Sequence, residues 1–288
     1  MKLERGVQAS IERLVQRVRW GVMAGGLLPG RGAGRRLGSA GEFEGYRRYE
    51  PGDDLRGLDI QVYRRLRRPM VRMLREDSII PLTLLIDRSG SMAGVERPRA
   101  VAELALFFLL LGRRAGDPLR LFGFRDGQLL KPRSHSREIA ARLGSLLECY
   151  PPQGASHFQR AFRSLPPHPS GHGIVLVISD AFGIADPDAE LAPLVRTGRL
   201  FWIAPLEVEE REPSSAGSVI LESREPEPSW EGTLDASTTE QYCAHLARYH
   251  EGLRRRLLEW GGDFYGVPAE NSIVESIGWI QRGGRLLR

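Results

Sequence analysis

Asp87, Ser89 and Ser91 are the residues of this sequence whose types and spacing could do chemistry. They lie in LTLLIDRSGSMAG (82–94), where an aliphatic run ends in a carboxylate and two hydroxyls follow at alternate positions. A buried strand needs none of them at its end. Three readings are open. They could shape a turn, with Gly90 letting the loop bend tightly. One serine could be a nucleophile, which needs a base within reach. Or all three could offer hard oxygens to one point, a donor set suited to Mg²⁺ or Mn²⁺. Serine hydroxyls neutralise such an ion only in part, leaving it able to take a carboxylate from outside. Two further residues belong to the same pattern. Asp180 follows the apolar run GIVLVIS (173–179), and Ser156 stands behind a glycine in GASHFQRAF (154–162). The plain role of Ser156 is a helix N-cap.

These groups can meet only if the surrounding elements bring them together. Strand-like runs occur at 82–86, 119–124, 173–179, 199–204 and 263–267. Helix-like stretches lie between them, at about 97–112, 136–149, 156–165, 187–197, 238–260 and 271–282. Fully apolar strands alternating with helices imply an α/β fold: a doubly wound, mostly parallel central sheet covered on both faces. In such sheets ligands bind beyond the carboxyl ends of strands, near a topological switch point. Asp87 and Asp180 are both expected at such ends.

The rest of the chain divides by composition. Residues 1–37 hold an amphipathic helix over 2–20 (Leu3, Val7, Ile11, Leu14 and Val18 at helical spacing), then a Gly/Arg-rich link. Residues 38–79 form a distinctive segment, with a turn at Pro51-Gly52-Asp53-Asp54 and an extended stretch at 69–75. Residues 80–288 are the α/β domain, interrupted near 206–234 by a Glu/Pro/Ser-rich excursion in which SVILES (218–223) reads as one arm of a small β element.

Bulk properties exclude several classes. No apolar run approaches the ~20 residues of a membrane helix, and the N-terminus lacks a signal-peptide core. Cys149 and Cys243 suggest no disulfide framework. A cytoplasmic location follows as the expectation, with membrane contact by the N-terminal helix left open. Residues 1–75 carry 17 Lys/Arg against 8 Asp/Glu. Arginine outnumbers lysine throughout the chain and no aromatic-interleaved basic motif accompanies the surplus, so a solvated surface outweighs nucleic-acid binding. Neither Lys2 nor Lys131 sits in a P-loop. Ser89 stands where haloacid-type phosphatases carry a second aspartate. No G-x-S-x-G elbow is present, and His157 is the one histidine expected near the site. His135, His168, His172, His245 and His250 read as surface residues.

Asp87-x-Ser89-x-Ser91, Gly-x-Ser156 and Ile-Ser-Asp180 together resemble the metal-ion-dependent adhesion site of von Willebrand factor A-like domains. The segment GEFEGYRRYEPGDDLRGLDI (41–60) is similar to the signature of the bacterial family called domain of unknown function 58. Three positions depart from these patterns: Ser156 stands for threonine, His157 for Asp or Asn, and Ile60 for tryptophan. The resemblance implies Ser89, Ser91 and Ser156 as direct or near-direct ligands of Mg²⁺ or Mn²⁺, with Asp87 and Asp180 acting directly or through water. It implies a non-catalytic interaction module that grips an acidic side chain of a partner, often a MoxR-type AAA+ ATPase, in chaperone-like assembly. A metal-dependent hydrolase and a scaffold with a vestigial site are the alternatives. For Pro51, Gly52, Asp53, Asp54, Arg56 and Asp59, a turn locked by carboxylate–guanidinium pairs is favoured over partner docking.

Overall fold

A computed structural model of the chain describes residues 5–22, 42–51, 53, 55–75, 80–169, 173–213, 217–221, 224 and 230–288. They fall in two compact units, residues 24–79 and the remainder. The N-terminal helix α1 (Arg5–Arg17) belongs to the larger one.

In the smaller unit, β1 (Glu42–Arg48) is followed by α2 (Ile60–Leu66) and β2 (Met70–Arg75), and β1 pairs with β2 antiparallel. The extended expectation at 69–75 is therefore met by β2. At the turn, Asp53 accepts both guanidinium nitrogens of Arg47, a residue outside the expected set, at 2.5 Å and the Glu50 N–H at 2.9 Å. Asp59 has a different task. Its carboxylate caps α2, accepting from Gln61 N and Val62 N at 2.9 and 3.1 Å, and takes the Tyr46 hydroxyl at 2.9 Å. Pro51 is exposed at the turn, while Gly52, Asp54 and the Arg56 side chain lie outside the described residues. Ile60 opens α2 with 63% of its surface exposed, so its departure from the family pattern falls on a surface position.

In the larger unit the chain alternates as expected. It runs through β3 (Leu82–Asp87), α3 (Arg97–Arg114), β4 (Leu119–Arg125), β5 (Gln128–Leu130), α4 (Ile139–Cys149), α5 (Phe158–Arg163), β6 (Gly173–Ile178), α6 (Pro187–Val195) and β7 (Gly198–Leu206). A four-residue helix, α7 (Val208–Arg211), leads to the hairpin β8 (Gly217–Leu221) and β9 (Trp230–Leu234), the expected excursion. Then come α8 (Ala236–Glu259), β10 (Asp263–Pro268) and α9 (Ile273–Gly283).

The main sheet has the order β10-β7-β6-β3-β4-β5, parallel except for the edge strand β5. β3 and β6 are buried along their whole length, as their unbroken apolar runs require. On one face Leu85, Val177 and Trp202 pack with Phe158, Phe162, Leu194 and Leu253, from α5, α6 and α8. α3 crosses the other face, with α1, α4 and α9 against it. From β3 the chain goes to β4 on one side and returns as β6 on the other. The carboxyl ends of β3 and β6 therefore flank the switch point.

Two boundaries differ for physical reasons. The first helix stops at Arg17 rather than Trp20, because Arg19 and Gly21 pair with Arg288 and Leu286 instead. α5 starts at Phe158, not Ser156. Its N-cap position is His157 in the left-handed region (φ 46°), so Ser156 is not the helix cap.

Candidate functional site at the strand ends

Asp87 closes β3 and is fully buried. One carboxylate oxygen accepts the Ser89 N–H at 2.8 Å, and the other accepts the Ser179 hydroxyl at 2.7 Å. A 3₁₀ turn over Gly90–Met92 then brings the Ser89 and Ser91 hydroxyl oxygens to 3.1 Å of each other. The sequence suggests glycine at 90 for a tight turn, yet Gly90 has no left-handed backbone. Glycine is required by close approach instead: a Cβ there would collide with the Arg224 carbonyl. Arg88 pins the loop from behind. Its buried guanidinium donates to the Tyr150 and Leu147 carbonyls at 2.6 and 3.2 Å, at the C-terminal end of α4. There it also satisfies carbonyls that the helix leaves unpaired.

The second loop is tied to the first by backbone bonds. Gly90 N–H donates to Gly154 O at 2.8 Å, and Gln153 N–H to Arg88 O at 3.0 Å. Asp126, itself left-handed (φ 51°), accepts the Ala155 N–H at 2.9 Å through its carboxylate and donates its own N–H to Ala155 O at 2.6 Å. Ser156 follows in this loop and is buried. His157 is exposed, and among the described residues no hydrogen bond joins it to Ser89 or Ser91. His157 is therefore not placed as a base for either serine.

The third contribution comes from the end of β6. Trp202 donates its indole N–H to Ser179 O at 2.9 Å, fixing the strand end. Asp180 follows, buried, and accepts the Phe182 N–H at 3.1 Å on one oxygen. On the other it meets Arg97, whose Nη1 lies 3.3 Å away. Arg97 is wholly buried at the start of α3. Its guanidinium also donates to Ser91 O, to Pro205 O at 2.8 Å and to the Glu210 carboxylate. Glu207 completes the cluster by accepting the Glu96 and Arg97 backbone N–H groups at 3.0 and 2.8 Å, while forming a capping box with Glu210 on α7.

The strand-end geometry thus gathers Asp87, Ser89, Ser91 and Asp180, and Ser156 lies on the loop tied to Gly90 through Gly154. Arg97, Arg88, Ser179 and Glu207 are the members that sequence reasoning missed. Arg97 opens the helix-like stretch 97–112 without a local signal, and its partners Asp180 and Glu210 are 83 and 113 residues away. The only local signal was the serine before Asp180.

Burial, then the neighbouring Asp180 charge, push the Asp87 carboxyl up to about 7, against the bonds from Ser179 and Ser89 that favour its charged form. Burial also draws the Arg88 guanidinium down to about 10. Among the described residues no three His, Cys, Asp or Glu side chains cluster as metal ligands, so a cation here depends on hydroxyls. The hydroxyls fit one. Adjacent ligands on an octahedral Mg²⁺ at about 2.1 Å lie about 3 Å apart, and the Ser89 and Ser91 oxygens are separated by 3.1 Å. Asp87 adds a carboxylate from the same turn.

Two histidines differ from their expected surface role: His168 is half-buried, and burial lowers its pKa. His250, on α8, is half-buried against Phe264 with ring centroids 5.0 Å apart, and burial lowers it to about 4.

A family model described as "Protein of unknown function DUF58" matches residues 45–248. The Uncharacterized protein Rv1480 of Mycobacterium tuberculosis (strain ATCC 25618 / H37Rv) is 24% identical over 294 residues, spanning 93% of this chain and 86% of its own length. The Uncharacterized protein Mb1516 of Mycobacterium bovis matches to the same extent. Among solved structures, an aerotolerance-related membrane protein from Bacteroides fragilis superposes with a TM-score of 0.39 at 17% identity, over 70% of this chain and 97% of that one. The conserved hypothetical protein BatB from Bacteroides thetaiotaomicron gives 0.39 at 16% identity, over 70% and 98%. Among the described residues no helix is long and apolar enough to cross a membrane.

Proposed function

This chain belongs to the DUF58 family, and we propose that it is a non-catalytic interaction module built around a divalent cation. Asp87, Ser89 and Ser91 hold Mg²⁺ or Mn²⁺, with Ser156 and Asp180 completing the surroundings. The cation would supply an open coordination position for a carboxylate of a partner protein. The observation that carries this reading is the pair of hydroxyls 3.1 Å apart beside a buried carboxylate, at the switch point of the sheet. A non-catalytic role is supported by the exposure of His157, which shares no hydrogen bond with either serine among the described residues. The partner class, a MoxR-type AAA+ ATPase, rests on the family resemblance alone.

The test has two stages. Mg²⁺ or Mn²⁺ should raise the melting temperature, because a ligand of the native state stabilises it, and Asp87→Ala should abolish the gain. A metal-dependent pull-down from source lysate should then recover an AAA+ ATPase with wild type and not with Ser89→Ala/Ser91→Ala. No thermal shift in wild type would point to a vestigial scaffold. Ester or phosphate turnover lost in Asp87→Ala would point to a hydrolase.

A further inference from the structure

We propose that Arg97 is an internal cation that competes with the divalent ion for Asp180 and so sets the affinity of the strand-end site. The inference rests on the cation-binding reading above and assigns a positioning role to a residue outside the D-x-S-x-S motif.

Arg97 is fully buried at the head of α3 and reaches toward the same strand ends. Its Nη1 touches both the Ser91 carbonyl and, at 3.3 Å, the Asp180 carboxylate. It therefore grips the backbone of one expected ligand and the side chain of another. The second oxygen of Asp180 accepts the Phe182 N–H at 3.1 Å. Each oxygen of Asp180 is thus already engaged. Asp180 can serve a cation through an intervening water, or directly by giving up Arg97. Both oxygens of Asp87 are engaged as well, by the Ser89 N–H and the Ser179 hydroxyl, but neither of those partners is a competing cation.

The electrostatics have a definite sign. Asp87, Ser89 and Asp180 are each buried to 1% exposure or less, so charges among them are poorly screened. A guanidinium bonded to Asp180 and Ser91 repels a second positive charge placed at the Ser89–Ser91 pair. Glu210 moderates that repulsion, since its carboxylate pairs with the Nη2 of the same guanidinium. The affinity of the site is therefore a balance between Glu210, which neutralises Arg97, and Asp180, which Arg97 and the ion share. A planar, permanently charged guanidinium suits this role, because it holds several acceptors in fixed directions at once.

The experiment measures Mn²⁺ affinity by titration calorimetry on the full chain, with apo stability recorded in parallel. Arg97→Met removes the competing charge, and Mn²⁺ should bind at least about tenfold tighter while the apo protein melts earlier. Glu210→Gln keeps Arg97 but removes its neutralising partner, and Mn²⁺ should bind several-fold weaker. If Arg97→Met does not fold, Arg97→Gln, which keeps amide donors without the charge, carries the test with the same tighter binding expected. A merely structural role would lower both melting temperatures and leave the Mn²⁺ constants unchanged, or weaken both. That result, with wild type binding normally, overturns the role of Arg97 and leaves the cation reading standing. Wild type that binds no Mn²⁺, beside Arg97→Met that does, supports the role of Arg97 and overturns the cation reading for the natural protein. No binding in either folded protein overturns both.

Discussion

At the scale of single residues, the strand-end site is fixed by close approach more than by backbone freedom. Gly90 illustrates this. Its conformation is open to any residue, but its Cα faces the Arg224 carbonyl. Gly90→Ala should therefore destabilise the fold by about 1–3 kcal/mol, the usual range for overpacking a tight contact. Urea denaturation would read this directly, and an unchanged midpoint would mean that the Arg224 contact gives way at no cost. Residue types also explain what could be read in advance. Asp87, Ser89, Ser91 and Asp180 announce themselves because polar groups directly after apolar runs have no structural excuse. Ser179 and Arg97 do not, since a serine beside an aspartate and an arginine in a charged string are unremarkable until burial is known.

At the scale of elements, legibility followed the length and contrast of each pattern. The apolar strands and the long helices stood out because each contains enough residues to establish a period. α2 did not, although Asp59 is a strong N-cap residue type, because its seven residues carry six exposed positions and no buried one. The role of α8 was only half legible. His245 faces solvent as expected, whereas His250, five residues on, turns toward Phe264 and is kept neutral by burial. The folded value of about 4 lies below the ordinary 6.5. Between those values the unfolded chain binds more protons, so stability is intact above pH 6.5 and falls as the pH drops toward 4. His250→Phe should flatten that slope by about 1–2 kcal/mol, after allowance for partial solvent access. Thermal melts of both proteins across pH 4–7 would show it, and parallel curves would assign the acid sensitivity elsewhere.

At the scale of the whole molecule, the doubly wound order was legible because strand–helix alternation with apolar strands admits few topologies. What lay beyond reach was pairing at a distance. Glu207 shows how far that distance extends: it caps the first turn of α3 from 110 residues away and organises α7 in the same stroke. Ser89, Gly154, Asp180 and Pro205 likewise converge from separate stretches of chain. Contacts of such long sequence separation are expensive to close early, so they form late as the chain folds. Interactions made after the rate-limiting barrier act on the exit from the native state rather than on the entrance to it. Glu207→Gln should accordingly speed unfolding several-fold in stopped-flow experiments while leaving the refolding rate within about twofold. The strand-end cluster would then be a clasp fastened last, whose contribution is measured in the lifetime of the folded protein.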